Sequence, residues 1–272
     1  VDETTQNRAN FDAAEAVWGE RHFFDGSGGS VQAMSARANR HYDGVAMQRT
    51  MLLLRDARLS YPVVVDLYRL TSQASHVYDY PIHFRGQLIA TNVTYQPNTA
   101  RREPLGAAYG YQHLWKDASG TTDGPVQLTW LDGSRYYSVT IAGAPGTDVV
   151  FGRTGANDPS FNLIAEPMML VRRRAADHVF ASVIEPHGYF NEAQERSEQA
   201  RPIVRAVRVL SSDTATTVAE VTGEGGLRWV VMVNNGPASD TARHRVTVDG
   251  HTYEWVGNYA VQGLQRTSGN AP

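Results

Sequence analysis

Apolar and polar positions alternate with a period of two along most of the chain, the repeat of a strand with one buried face. GVAMQRTMLLLRD (44–56) and YPVVVDLYRL (61–70) are rich in apolar and β-branched residues, and a short polar link between them predicts two separate strands. VQLTWLDGSRYYSVTI (126–141) alternates on both sides of Asp132-Gly133, and HRVTVDGHTYEWV (244–256) on both sides of Asp249-Gly250. Asp-Gly accepts the positive φ of a tight turn, so each stretch predicts a hairpin. TATTVAEVTGEGGLRWVVMVNN (214–235) predicts a third hairpin, turning over Gly223 to Gly226, and DHVFASVIEP (177–186) one more strand. The helical period is scarce. NFDAAEAVWGER (10–21) supports a turn or two of helix, and NEAQERSEQARP (191–202) a short surface helix ended by Pro202. Turn signals recurring about every 8–12 residues predict an all-β chain, a multilayer antiparallel β-sandwich. Glycine, aspartate and proline cluster in GRTGANDPSFN (152–162), which predicts a central antiparallel sheet domain over 1–155 and a smaller C-terminal sandwich over 156–272.

Composition narrows the function classes. With 272 residues, 42% of them hydrophobic, the chain is long enough to bury a core. A formal net charge of −3 argues against a dedicated nucleic-acid binder. No apolar run approaches the roughly 20 residues that a membrane-spanning helix needs. The absence of cysteine excludes disulfides, thiolate metal sites and a cysteine nucleophile. Lys116 is the only lysine, so every other fixed cation is an arginine. Arginine's planar fork matches carboxylates and would suit an acidic polymer, although arginine-favouring codon usage is the preferred account of the bias. The opening VDETTQNRANF has no initiator methionine and no signal-peptide pattern, so a processed or truncated product is expected.

The candidate chemistry lies in three stretches. HVYDYPIHF (76–84) places His76, Tyr78 and Tyr80 on one strand face and Val77 and Asp79 on the other. His76 and Asp79 then diverge, so hydrogen-bonded buried aromatics are expected there rather than a metal site. GYQHLW (110–115) places Tyr111 and His113 on one face, either as an acid–base pair or as packing beside Trp115. IEPHGYFNE (184–192) carries Glu185, His187, Tyr189 and Glu192 past a strand end, where a loop would present ligand contacts, so Glu185 and His187 are the candidate substrate-binding residues. Arg101-Arg102 and Arg172-Arg173-Arg174 are the basic clusters, and the triplet's default reading is a sheet-surface ion-pair network. Trp115, Trp130, Trp229 and Trp255 sit within apolar strands and are expected to be mostly buried. No GxSxG, HExxH or phosphate-loop motif occurs.

VDETTQNR (1–8), RTMLLL (49–54), YPVVVDLYRL, HVYDYPIHFRGQL (76–88), LGAAYGYQHLW (105–115) and FASVIEPHG (180–188) occur in this order. Together they resemble the C-terminal β-sheet region of the heparinase II/III-like polysaccharide lyases, and most closely the family-17 oligoalginate lyases. The resemblance covers most of the chain and is most specific over residues 76–115. It implies a β-sandwich that follows an α/α toroid, and exolytic β-elimination on alginate oligomers. In that chemistry a uronate carboxylate is neutralised, a tyrosine or histidine takes the C5 proton, and a tyrosine protonates the leaving O4. It also implies a periplasmic or secreted location, with the cytoplasm as the alternative, and a zinc held by two histidines and an aspartate. The family's catalytic and zinc-ligating phrases would all precede Val1. No catalytic residue, zinc ligand or cofactor is therefore carried onto this chain, and Asp66, His76 and Tyr78 match a family phrase as scaffold.

The expected partners are an acidic oligosaccharide and the missing N-terminal α/α and catalytic portion, with no nucleic acid or membrane and with a homo-oligomer allowed by open sheet edges. One rival reading is a stand-alone carbohydrate-binding sandwich. Another is an intact small lyase using Tyr111/His113 or Tyr78/His83.

Overall fold

A computed structural model describes residues 1–6, 10–101, 103–155 and 165–265, and its strands stack as four antiparallel layers. The central and widest sheet runs Glu20–Asp25, Val31–Tyr42, Val45–Leu54, Val63–Ser72, His178–Asn191, Arg135–Ile141, Val126–Asp132 and Gln87–Thr91, with Arg196–Glu198 pairing His178–Asn191. An outer sheet lies on one face: His76–His83, Glu166–Ala175, Thr147–Thr154, Leu114–Thr122 and Gln96–Pro97. A third sheet lies on the other: Val204–Ser212, Thr216–Gly223, Arg228–Asn234 and Tyr259–Gln262. The hairpin Arg243–Val248/His251–Val256 forms the fourth layer.

Three apolar cores separate these layers. Tyr78, Tyr80, Phe151 and Met169 of the outer sheet meet Leu128, Trp130, Val139 and Phe180 of the central one. Leu52, Leu54, Val65 and Val183 leave the other face of the central sheet and meet Val207, Val221, Trp229 and Val231. Val218, Val230 and Met232 pack beneath Tyr253 and Trp255. Alternation explains the sorting: in Val63–Ser72, Val63, Val65 and Leu67 enter the second core while Leu70 enters the first.

The all-β expectation holds, and so do the hairpins at Asp132-Gly133 and Asp249-Gly250. One of the two helical expectations needs correction. Residues 191–202 form no helix: the strand runs on to Asn191, and Arg196–Glu198 folds back on it with Tyr189 opposite Glu198. That segment has no apolar stripe to bury, so nothing would support it as a helix. Over 10–21 the expected turn or two of helix is present as Phe11–Glu15, begun by Asn10 accepting the Ala13 N–H at 3.0 Å, before the chain enters Glu20–Asp25.

The division proposed at residue 155 would cut both large sheets, and most of its Gly/Pro cluster (156–162) lies outside the described residues. Glu166–Ala175 sits between two strands of the outer sheet, and His178–Asn191 sits between two of the central sheet. The chain changes layer at about Ile203, where the third sheet begins.

Two buried carboxylates tie the layers together. Asp66, with none of its surface exposed, takes Arg49 Nε at 3.0 Å, Arg49 Nη2 at 2.6 Å and the Tyr80 hydroxyl at 2.7 Å. Ser182 then donates to the Tyr80 oxygen at 3.0 Å. Asp56 receives Arg58 Nε and Nη2, the Trp229 indole N–H at 2.8 Å and the Gln265 N–H at 3.0 Å. Burial pushes the Asp56 pKa upward, but the hydrogen bonds from Arg58, Gln265 and Trp229 outweigh it and hold the group at about 2.

Asp66→Ala leaves the buried Tyr80 hydroxyl without its acceptor and the exposed Arg49 without its partner, and it is expected to cost about 1–3 kcal/mol in denaturant unfolding. Because the folded pKa of Asp56 lies below its unfolded value, its ionised form contributes stability above about pH 4, which is lost as pH falls towards 2. Asp56→Asn is expected to flatten that limb of a melting-temperature profile.

Candidate functional site

The strand His178–Asn191 places Glu185 and His187 on the face towards the third sheet, both buried. They do not lie on a loop as expected. Pro186 and Gly188 read as strand breakers, yet Pro186 falls between the two stretches where this strand has a partner on that side, residues 178–184 and 189–191. Its missing N–H therefore costs no ladder bond there. A Cβ at Gly188 would come within 2.1 Å of the carbonyls of Glu198 and Gln199, so only glycine lets the returning segment pass.

Glu185 accepts the backbone N–H groups of Ile203 and Val204 at 2.8 and 2.9 Å. Burial raises its pKa, and those two bonds oppose the rise. His187 bonds the Gln199 carbonyl through Nδ1 at 2.8 Å, so Nδ1 carries the proton. Its Nε2 then accepts from the Ser138 hydroxyl at 2.9 Å, and Ser138 accepts from Thr129 at 2.6 Å. Burial lowers the His187 pKa and favours this neutral ring. The two side chains border a cleft of about 550 Å³ whose wall includes Ser60, Gln199, Arg201 and Arg205. Arg205 is ion-paired to Glu224.

A second constellation sits on the outer sheet beside the first residues of the chain. Arg172 grips Asp79 through Nε at 2.7 Å and Nη2 at 2.8 Å, and reaches Glu3 through Nη1 at 2.7 Å. The Tyr111 hydroxyl donates to the same Asp79 carboxylate at 2.5 Å. Asp2 accepts the Val77 N–H at 2.8 Å and meets His76 Nδ1 at 2.6 Å. Burial, then the Asp79 carboxylate, push the Tyr111 pKa far above its usual value. The side chain of Tyr111 passes close to Gly106, where an added Cβ would come within 2.9 Å of the Tyr111 Cβ.

The proposed acid–base pairs do not form. Tyr78 is fully buried and donates to the Ala176 carbonyl at 2.7 Å, whereas His83 lies on the opposite, exposed face of its strand. Tyr111 and His113 lie on a single 3-10 turn, where residues two apart do not share a face, and His113 is exposed. His76 and Asp79 diverge as expected, each with its own partner. Arg172 is ion-paired, as the surface-network reading expects, and Arg102 lies outside the described residues. Trp130, Trp229 and Trp255 are buried and Trp115 is half-buried, while Trp18 is 58% exposed with Arg40 stacked on it. The Asp79–Arg172–Glu3 cluster escaped the sequence reading because its members lie far apart along the chain. Only the antiparallel register of His76–His83 against Glu166–Ala175 brings Asp79 opposite Arg172. Among the described residues no three histidine, aspartate or glutamate side chains converge as metal ligands would.

No protein-family model matches the chain. It is 37% identical over 273 residues to an alginate lyase of Stenotrophomonas maltophilia, covering 99% of this chain and 36% of that protein. It is 32% identical over 237 residues to an exo-oligoalginate lyase of Saccharophagus degradans, covering 85% of this chain and 32% of that one. The chain thus spans about a third of the length of these relatives. Among solved structures it is similar to a mutant heparan sulfate lyase HepC from Pedobacter heparinus, at a TM-score of 0.49 and 11% identity over 80% of this chain and 28% of that one. A heparinase III with methylated lysines gives 0.49 and 10% over 79% and 27%.

Tyr111→Phe removes one hydrogen bond to an ionised acceptor that Arg172 still holds. It is expected to cost about 1.5–3 kcal/mol of unfolding free energy, measured by denaturant titration.

Proposed function

We infer, for a chain whose homologues are an alginate lyase and an exo-oligoalginate lyase, that it is the C-terminal portion of a polysaccharide lyase acting on an acidic uronate polymer. The observation that carries this reading is identity sustained over 99% of the chain while covering 36% of the alginate lyase. The substrate is an oligomer of alginate, cleaved exolytically by β-elimination. A base removes the C5 proton, the electron pair forms the C4–C5 double bond, and O4 leaves with a proton from an acid. Acid–base catalysis of this kind needs a group whose proton moves at the working pH.

The side chains of this portion support a scaffold role in that reaction. Tyr111 holds its proton against Asp79, and Tyr78 is sealed in the core, so neither is poised as a base. Glu185 and His187 spend their polar atoms on the backbone of residues 199–204 and on Ser138, and so serve the substrate by shaping the cleft wall, where Arg201 faces solvent. A zinc, as the resemblance implies, would take its ligands from residues outside this chain, and no step here runs through it.

The test is production of unsaturated uronate, followed by its ultraviolet absorbance. The isolated chain is expected to give none from oligoalginate, and the chain joined to the rest of a homologous lyase is expected to turn over. Tyr111→Phe in the joined enzyme is expected to stay within about twofold of the parent, against the 10²–10⁴-fold loss of a true acid or base. Sustained turnover by the isolated chain would contradict the scaffold assignment.

A further inference from the structure

Two clefts meet at Arg69. One, of about 640 Å³, runs between the ends of the central and third sheets. The other, of about 380 Å³, continues it, and Arg69, Thr71, Asp177 and Thr214 line both. The first is within the range of about 300–1,000 Å³ usual for small-ligand sites.

Arg69 is half-buried, yet it makes no hydrogen bond or ion pair with another described residue. Arg58 and Arg172 are also half-buried and each grips a carboxylate, as does the more exposed Arg49. A desolvated guanidinium without such a partner is costly, and its forked donors define the geometry of the partner it lacks. Burial lowers the Arg69 pKa, with Asp177 and Asp213 acting in the opposite direction from beyond bonding distance. Those two carboxylates are committed to backbone turns. Asp177 accepts the Ser72 N–H at 3.1 Å, and Asp213 accepts those of Ala215 and Thr216, each at 2.7 Å.

This arrangement selects the ligand's charge. A dianion such as phosphate would sit beside two carboxylates, whereas a single carboxylate fits the fork and meets less repulsion. The remaining lining selects a polyol. Thr71, Ser211 and Thr214 present hydroxyls without partners among the described residues, and burial holds His178 neutral, its pKa at about 4. We propose that this cleft binds a uronate unit of an acidic oligosaccharide, its carboxylate on Arg69 and its hydroxyls on Thr71, Ser211 and Thr214. The choice of a uronate rests on the polyuronate reading above.

The test is titration calorimetry of the protein with an alginate trisaccharide, with cellotriose as the neutral control, and with phosphate and triglutamate. Saturable binding of the alginate trisaccharide alone is expected. Arg69→Gln is expected to weaken it by about tenfold or more, the scale of a charge-assisted fork. Thr214→Trp, placed on an exposed bend, blocks the cleft without touching a core and is expected to do the same if Arg69→Gln fails to fold. Absence of binding, equal binding of cellotriose, preference for phosphate or triglutamate, or unchanged affinity in a folded Arg69→Gln or Thr214→Trp protein each overturns the proposal. These outcomes leave turnover by the joined enzyme untouched. Failure of that turnover with trisaccharide binding intact removes the lyase reading alone.

Discussion

Asp66 carries its carboxylate at the middle of the widest sheet with no surface exposed, and three donors from two layers close on it. The donors are what allow a charge there at all, since an unpaired buried carboxylate would favour unfolding or neutralisation. Arg49 comes from the neighbouring strand and Tyr80 from the outer sheet, so the bond fixes how the two layers slide over each other. Asp56 does the equivalent on the opposite side, where the Trp229 indole reaches across from the third sheet. The central strands of this sheet are largely buried on both faces and have no solvated side to set their register. The two carboxylates supply the directional contacts that apolar packing lacks.

The same logic explains why residues suited to catalysis are not poised for it. Tyr78, Tyr80 and Tyr111 each donate to an oxygen of the protein, and in Tyr80 and Tyr111 burial first, then a neighbouring carboxylate, holds the proton in place. His187 has one ring nitrogen donating and the other accepting. Each of these groups is spent on joining strands. The arginines divide differently: Arg49, Arg58 and Arg172 are structural, and Arg69 is left facing a cavity.

Much of the fold was legible because its signals are local. Asp-Gly pairs fixed two hairpins, and period-two alternation in 44–56 and 61–70 marked strands that are central in the structure. The alternation of HVYDYPIHF also predicted the divergence of His76 from Asp79. What failed depended on distant partners. Pro186 and Gly188 look like a strand end until the gap between two partner strands and the close passage of residues 198–199 are seen. Residues 191–202 look helical by composition, but no apolar surface waits for a helix there. Asp79 with Arg172, and Arg69 without a partner, became visible only once the strand order was known.

The paired strands Val63–Ser72 and His178–Asn191, carrying Asp66 and Ser182 between two cores, form the most stable part of the molecule. Native-state hydrogen exchange resolved by residue tests it most directly. The slowest exchange is expected at the amides of Val65, Leu67, Ala181 and Val183, with the edge strands Glu20–Asp25 and Gln87–Thr91 opening at much lower free energy. Protection in the edge strands equal to that of the two central strands would contradict it.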